Sequence, residues 1–150
     1  MGTSIPGSNP GTPTKFMEQD ETFYVAQKAF IRKGDEVLVL SDPIEGLDYP
    51  GGKVQIGEID LKDSLKREVL EETNIKIEVG RPFFVTSETF KRGEYANKRV
   101  FIIAYECDYI SGDMKLSKEH DNFVWVDKND YSKVNDGTSF FEMLEKYFSK

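Results

Sequence analysis

The sequence predicts an α/β or α+β fold in which two helices pack on a mixed β-sheet. Short runs of β-branched and aromatic residues between turn residues predict strands, and two segments carry the apolar spacing of amphipathic helices. The 150 residues, 38% hydrophobic and 31% charged, have the composition of a soluble globular protein. We therefore expect a single domain over residues 22–148.

The predicted elements alternate along the chain. Residues 33–35, Lys-Gly-Asp, predict a hairpin turn, and residues 92–94, Arg-Gly-Glu, predict a second turn. Polar segments at 41–48 and 111–121 predict loops. Strands are predicted at residues 23–31, 37–40, 75–79, 83–89, 99–107 and 123–126, and helices at 61–73 and 137–148.

The two terminal segments differ in character. Residues 1–15 are rich in Gly, Pro, Ser and Thr, which predicts a disordered leader. The predicted helix at 137–148 instead has an aromatic face, which we expect to pack on the sheet, although it could also serve a partner. This face consists of Phe140, Phe141, Leu144, Tyr147 and Phe148.

Charge and cysteine content exclude several classes of function. A net charge of −7 argues against a broad electrostatic contact with DNA or RNA. The sequence has no apolar run long enough to cross a bilayer, so we expect no membrane partner. Cys107 is the single cysteine, so an internal disulfide cannot form and a reducing, cytoplasmic location is expected. We expect Cys107 to be a small buried side chain in a strand.

Three carboxylates crowd one side of the helix predicted at 61–73. At about 100° per residue, Glu68 and Glu72 lie one above the other with Glu71 beside them. Glu72 also falls near the middle of the apolar stripe that should face inward, where a carboxylate is costly unless a cation or a positive group accompanies it. Because Mg²⁺ prefers oxygen ligands, this cluster indicates a divalent metal site. The alternative is a solvated helix in which Arg67 and Glu71 form an ordinary exposed pair.

A glycine pair precedes this helix at a defined spacing. Gly52 is followed by five residues and Glu58, and then by eight residues and the run Arg67-Glu68-Val69-Leu70-Glu71-Glu72-Thr73-Asn74-Ile75. This segment resembles the box of the Nudix hydrolases, the MutT-like pyrophosphohydrolases. Their box has seven residues in the second spacer and glycine where Asn74 stands. Asp60 as N-cap could absorb the extra residue in the entry loop, and asparagine is the next choice after glycine at a helix end with positive φ.

The resemblance implies a fold and a reaction. The fold is an α/β/α sandwich, and the reaction is hydrolysis of the pyrophosphate in a nucleoside diphosphate linked to another group. It also implies Mg²⁺ as the cofactor, with Mn²⁺ as a substitute, and a homodimer as one arrangement found among relatives. Motifs typical of members that act on coenzyme A, NADH, ADP-ribose or diadenosine polyphosphates are not evident around the box. A nucleoside triphosphate or related small nucleotide is therefore the default substrate, and ADP-ribose or nucleotide sugars are the alternative.

The resemblance also assigns roles to individual residues. Glu68 and Glu72 are the first candidates for metal ligands, Glu71 shares the site, and Glu58 is an outer ligand. Arg67 orients a glutamate, and Gly51 and Gly52 form a tight turn that lets the backbone approach the phosphates. Glu119, in the loop that ends at Asp121, is a candidate for a further ligand or for the base, and Glu68 is the other candidate for the base. A solvated polar loop is the alternative for Glu119. His120 is expected near the substrate.

Two other functions remain open at this point. The altered spacing after Glu58 is compatible with a Nudix-fold module that binds a nucleotide without hydrolysing it. A structural or interaction domain that uses the aromatic C-terminal helix is the third possible function. The complete set Arg67, Glu68, Glu71 and Glu72 favours the hydrolase, because a pure binder does not need an activated water.

Overall fold

The structure, a computed structural model, describes residues 18–149, so the leader expected at residues 1–15 lies outside the described residues. Within this range the chain forms a seven-stranded sheet and two α-helices. The strands are β1 Phe23–Lys33, β2 Glu36–Asp42, β3 Gly46–Asp48, β4 Gly51–Lys53, β5 Lys76–Thr89, β6 Arg99–Ser111 and β7 Asn122–Val126. The helices are α1 Leu61–Thr73 and α2 Ser139–Phe148.

The sheet is mixed, as predicted. Its strand order is β3-β2-β1-β6-β5, with β4 paired to β1 and β7 paired to β2. Strands β1 and β6 run parallel, whereas the other pairs are antiparallel. Strand β2 pairs with β1 only next to the turn that joins them, at Arg32 and Lys33. Strand β4 pairs with the same edge of β1 at residues 26–28. The edge of β1 therefore receives the glycine segment.

Helices cover both faces of the sheet. Alternate residues of β1 enter different cores, because successive side chains of a strand point to opposite faces. Ala29 and Ile31 pack with Leu65 and Val69 of α1, whereas Phe30 packs in the core that contains α2. This arrangement is the expected α/β/α sandwich. Cys107 is buried in β6, as expected.

The ends of α1 are those predicted from its sequence. Asp60 is the N-cap, and its side chain accepts a hydrogen bond from the backbone nitrogen of Asp63 at 3.1 Å. Asn74 ends the helix with φ of 64°, so asparagine substitutes for the usual glycine. The extra residue before the helix therefore lies in the entry loop and does not disturb the helical spacing of the box.

Helix α2 packs on its own sheet. Its buried residues include Phe140, Phe141 and Leu144, as predicted, and also Met143, which the aromatic pattern did not single out. Tyr147 and Phe148 are partly buried against the same core. Among residues 18–149, no helix combines the length and the apolar character needed to span a membrane.

Three local predictions need correction. The strands predicted at 75–79 and 83–89 belong to one continuous strand, β5 Lys76–Thr89, because pairing with β6 resumes after irregularities on either side of Pro82. The polar segment 41–48 contains strand β3, which pairs with β2. Gly51 and Gly52 are not simply a turn, since they form strand β4 along β1. In each case backbone pairing with another strand decided the structure, and local residue preferences did not indicate that pairing.

Candidate active site

Glu72 connects α1 to the glycine strand. Its side chain is 8% exposed, and its Oε1 accepts a hydrogen bond from the backbone nitrogen of Gly51 at 3.0 Å. Burial raises the pKa of Glu72 to about 7, although the Gly51 hydrogen bond and the positive charge of Lys28 oppose this shift. The structure thus confirms that this carboxylate lies on the inward side of the helix.

Glu68 lies one turn earlier and faces Gly52. Glu68 is partly buried, and its Oε1 is buried without a hydrogen-bond partner among the described residues. A Cβ atom on Gly52 would overlap Glu68 Oε2, so the glycine makes room for this carboxylate. Burial and the negative charge of Glu58 raise the pKa of Glu68. Glu68 and Glu72 therefore contact two successive glycines from two successive helical turns.

Arg67 holds the two remaining glutamates of the box. Its Nη2 donates to Glu58 Oε2 at 2.7 Å and its Nη1 donates to Glu71 Oε1 at 3.0 Å. The Glu71 side chain is 60% exposed, so the structure places it with Arg67 on the outer side of the helix. Hydrogen bonds from the Gln55 backbone, Ser64 and Arg67 keep the pKa of Glu58 below its usual range. Glu58 therefore joins the box despite the extra residue in the spacer.

A buried charged network lies beside these carboxylates, and two of its members, Lys28 and Asp48, were not predicted from the sequence. Lys28 Nζ lies 2.9 Å from Asp48 Oδ1, and His120 Nε2 lies 2.8 Å from Asp48 Oδ2. Burial lowers the pKa of Lys28, but the charge and hydrogen bond of Asp48, together with the charges of Glu72 and Glu68, outweigh this effect, so the net shift is upward. The hydrogen bond to Asp48 raises the pKa of His120. A polar pair, Gln27-Lys28, inside an otherwise apolar strand was the available signal.

The loop that carries Glu119 lies against the end of α1. Two of its backbone nitrogens, those of Lys115 and Ser117, donate to the carbonyl oxygens of Thr73 at 3.0 Å and Glu72 at 2.9 Å. Glu119 itself is exposed, and its negative charge contributes to the raised pKa of Glu72. The structure therefore brings this predicted residue close enough to Glu72 for their charges to interact.

Asp42, Asp48 and His120 form another group of potential ligands, whose ligand atoms lie within 4.8 Å of one another. Asp42 accepts hydrogen bonds from two backbone nitrogens of the following turn. The Lys28 ammonium already pairs with Asp48 at 2.9 Å, and its positive charge would repel a metal ion bound to the same carboxylate. We interpret this group as a hydrogen-bonded network beside the box.

The box residues fit a hard cation. Two buried acceptor oxygens, Glu68 Oε1 and Gln27 Oε1, have no hydrogen-bond partner within residues 18–149. Both residues adjoin the same glycine, because Gln27 pairs in register with Gly52 and the Glu68 carboxylate lies against Gly52. Unpaired buried oxygens are costly, and a divalent cation with its water ligands removes that cost.

Comparison with known proteins identifies the family. Residues 10–146 match the family model for the NUDIX domain. The chain belongs to the Nudix family. As a Nudix hydrolase it falls in a family whose members generally use divalent metals and act on small nucleotides. A search of curated proteins found no match.

Solved structures with this fold include several Nudix proteins. The MutT protein from Methanosarcina mazei Go1 is 27% identical, with a TM-score of 0.70 over 89% of this chain and 100% of that chain. The E. coli ORF135 protein is 18% identical, with a TM-score of 0.69 over 86% and 91% of the respective chains. An ADP-ribose pyrophosphatase from Streptococcus suis 89-1591 is 20% identical, with a TM-score of 0.57 over 73% and 77%. At these lower identities the likeness establishes the shared fold.

Proposed function

We propose that this Nudix hydrolase splits the pyrophosphate linkage of a nucleoside diphosphate linked to another group, most simply a nucleoside triphosphate. The observation that carries the proposal is the pair of glutamates, Glu68 and Glu72, placed against two successive glycines of β4. Backbone at glycine can approach phosphate oxygens closely, and the adjacent carboxylates supply oxygen ligands. The cation and the diphosphate would therefore bind side by side.

The residues would divide the work as follows. Glu68 and Glu72 hold the cation, Mg²⁺ or Mn²⁺, with Glu119 as a further ligand or base. Arg67 keeps Glu58 in place and uses the exposed Glu71 as its second partner. The bound cation would neutralise charge on the phosphate oxygens.

The hydrolysis step needs an attacking water and a base. Water bonds to phosphorus, the bridging P–O bond breaks, and the leaving phosphate keeps the bonding electron pair. Glu68 or Glu119 accepts the proton that the water loses. Single-turnover rates of Glu68→Gln and Glu119→Gln at saturating Mg²⁺ distinguish them, because removing the base lowers the rate of the chemical step even when the cation is bound.

The position of Glu58 favours hydrolysis over binding without turnover. The extra residue in the spacer was the reason to consider a pure binding module. Glu58 Oε2 nonetheless lies 2.7 Å from Arg67 Nη2, so Glu58 contacts the box helix despite the extra residue. This contact supports a complete set of catalytic carboxylates.

A substrate panel tests the proposal. Purified protein with Mg²⁺ is incubated with nucleoside triphosphates, ADP-ribose, nucleotide sugars and dinucleotides, and released phosphate, pyrophosphate and monophosphate are measured. We expect one class, with nucleoside triphosphates first, to be hydrolysed. Tight nucleotide binding with no product in Mg²⁺ or Mn²⁺ would favour the binding module instead. Gel filtration of the same sample tests the homodimer, and limited proteolysis tests the single domain at residues 22–148.

A further inference from the structure

The loop carrying Glu119 is attached to the protein on both sides of that residue. On one side, the backbone nitrogen of Ser117 donates to the carbonyl oxygen of Glu72 at 2.9 Å. On the other side, the backbone nitrogen of Asp121 donates to the carbonyl oxygen of Ser41 at 3.2 Å. Glu119 therefore lies on a short span between the box helix and strand β2.

Two side chains hold the loop beside Glu119. Ser117 Oγ accepts a hydrogen bond from the backbone nitrogen of Glu119 at 3.4 Å, and the His120 ring reaches across to Asp48. His120 is 8% exposed, and its Nε2 lies 2.8 Å from Asp48 Oδ2. Since a carboxylate accepts, Nε2 carries the hydrogen in this contact. The exposed side chain of Glu119 and the buried ring of its neighbour thus point to different surroundings.

Asp48 is itself fixed from several directions. Its Oδ1 lies 2.9 Å from Lys28 Nζ and accepts a hydrogen bond from the backbone nitrogen of Tyr49 at 2.8 Å. Lys28 also donates to the Tyr49 carbonyl oxygen at 3.2 Å. Lys28 is on β1 directly opposite Gly51, the glycine that binds Glu72. Lys28, which holds the Asp48 anchor of His120, therefore belongs to the same strand pair that positions the box.

We propose that His120, held by Asp48 and Lys28, is a positioning residue that fixes Glu119 beside Glu72 so that the two carboxylates can act on one cation. This inference rests on the proposed function, because it assigns Glu119 to the cation site. It differs from a general structural role in one respect. A residue that only stabilises the loop changes the melting temperature, whereas a positioning residue also changes the affinity for the cation.

The matched test pair is His120→Gln and His120→Asn. The amide nitrogen of glutamine can take the place of Nε2, whereas the asparagine side chain is one methylene shorter and does not reach Asp48. The Mg²⁺ concentration that gives half of the maximal rise in melting temperature is measured for each full-length variant and for the wild type. We expect His120→Asn to need about 10–100 times more Mg²⁺, the loss typical when a residue that supports a metal ligand from outside the coordination shell is removed, and His120→Gln to stay close to wild type. His120→Leu is the second variant without a donor, used if the asparagine variant does not melt cooperatively.

A double variant separates positioning from an independent effect. If His120 acts through Glu119, then Glu119→Gln combined with His120→Asn should bind Mg²⁺ no more weakly than Glu119→Gln alone. Additive losses would overturn the inference, and so would a His120→Asn protein that melts lower but binds Mg²⁺ as the wild type does. Either of these two outcomes would reject the role of His120 but leave the proposed hydrolase function untouched. Absence of Mg²⁺-dependent stabilisation and of hydrolysis in the wild type would instead reject both.

Discussion

Glu72 Oε1 accepts a hydrogen bond from the backbone nitrogen of Gly51 at 3.0 Å, which joins the box helix to the glycine strand through one buried contact. Gly51 has φ of 137° and lies against the backbone of Gln27, while Gly52 faces Glu68. The two glycines therefore have different tasks. At position 51 a side chain would collide with the backbone of Gln27. At position 52 a side chain would collide with the carboxylate of Glu68 in the candidate site.

This difference predicts opposite effects of two alanine substitutions. In Gly51→Ala the new Cβ would overlap the carbonyl oxygen of Gln27, so we expect a marked loss of stability. In Gly52→Ala the Cβ meets only the movable carboxylate of Glu68, so we expect a melting temperature near wild type and at least a tenfold loss of kcat/KM, or about 1.4 kcal/mol. Thermal melts and steady-state kinetics check both. Wild-type activity in Gly52→Ala would contradict the assigned role of Glu68.

Arg67 should act by geometry as well as by charge. It binds Glu58 and Glu71 through two different nitrogens, and a lysine ammonium cannot reproduce that planar fork. We expect Arg67→Lys to lower kcat about tenfold with little change in melting temperature, because the contacts are exposed. Lys62→Arg, an exposed change in the same helix, is the control. If Arg67→Lys and wild type have equal kcat and KM, the fork geometry of Arg67 has no role in catalysis.

The raised pKa of Glu72 predicts how stability depends on pH without metal. The pKa is about 7 in the folded chain and near 4.5 for an ordinary glutamate, so folding favours the protonated form. The corresponding stability is complete below pH 4.5 and is lost as pH rises to 7, by at most about 3 kcal/mol. Urea unfolding in a chelator at pH 5 and pH 8 measures the change. Glu72→Gln should lose less stability than wild type between these values, and an identical loss in both proteins would refute this prediction.

Divalent cations should reverse that loss of stability. A ligand that binds only the folded chain stabilises it by about 2.7 kcal/mol at a hundredfold excess over its dissociation constant. Because protons compete for Glu72, the rise in melting temperature with Mg²⁺ should be larger at pH 8 than at pH 6. In Glu72→Gln the rise should largely disappear, whereas Glu142→Gln, an exposed glutamate of α2, should behave as wild type. An unchanged rise in Glu72→Gln would place the cation elsewhere.

The sequence predicted the box helix well because the relevant signals are local. Asp60 and Asn74 mark its ends, and the spacing of Leu65 and Val69 shows which side is buried. Once that side was known, the inward position of Glu72 followed from the helical period. The β-strands were predicted less well, since separate strands were predicted at 75–79 and 83–89 although pairing with β6 continues past Pro82.

The polar pair Gln27-Lys28 was the only local signal of the network around Asp48, and it did not indicate the partners of Lys28. His120 and Asp48 are separated by 72 positions, and Lys28 belongs to a third element. No local period brings such residues together, since only the sheet topology does so. The outer position of Glu71 was also hidden, because helical spacing places it beside Glu68 and Glu72 and the contact with Arg67 decides its direction.

The most direct test of the account is the rate of hydrolysis of the preferred nucleotide as a function of Mg²⁺ concentration, in wild type and in Glu68→Gln. We expect a rate that is negligible in chelator and rises to saturation with Mg²⁺ in wild type. In Glu68→Gln we expect at least a hundredfold lower rate at every concentration, about 2.7 kcal/mol of lost transition-state stabilisation. Hydrolysis that proceeds equally well in chelator, or a Glu68→Gln protein as fast as wild type, would contradict a cation-dependent reaction at this site.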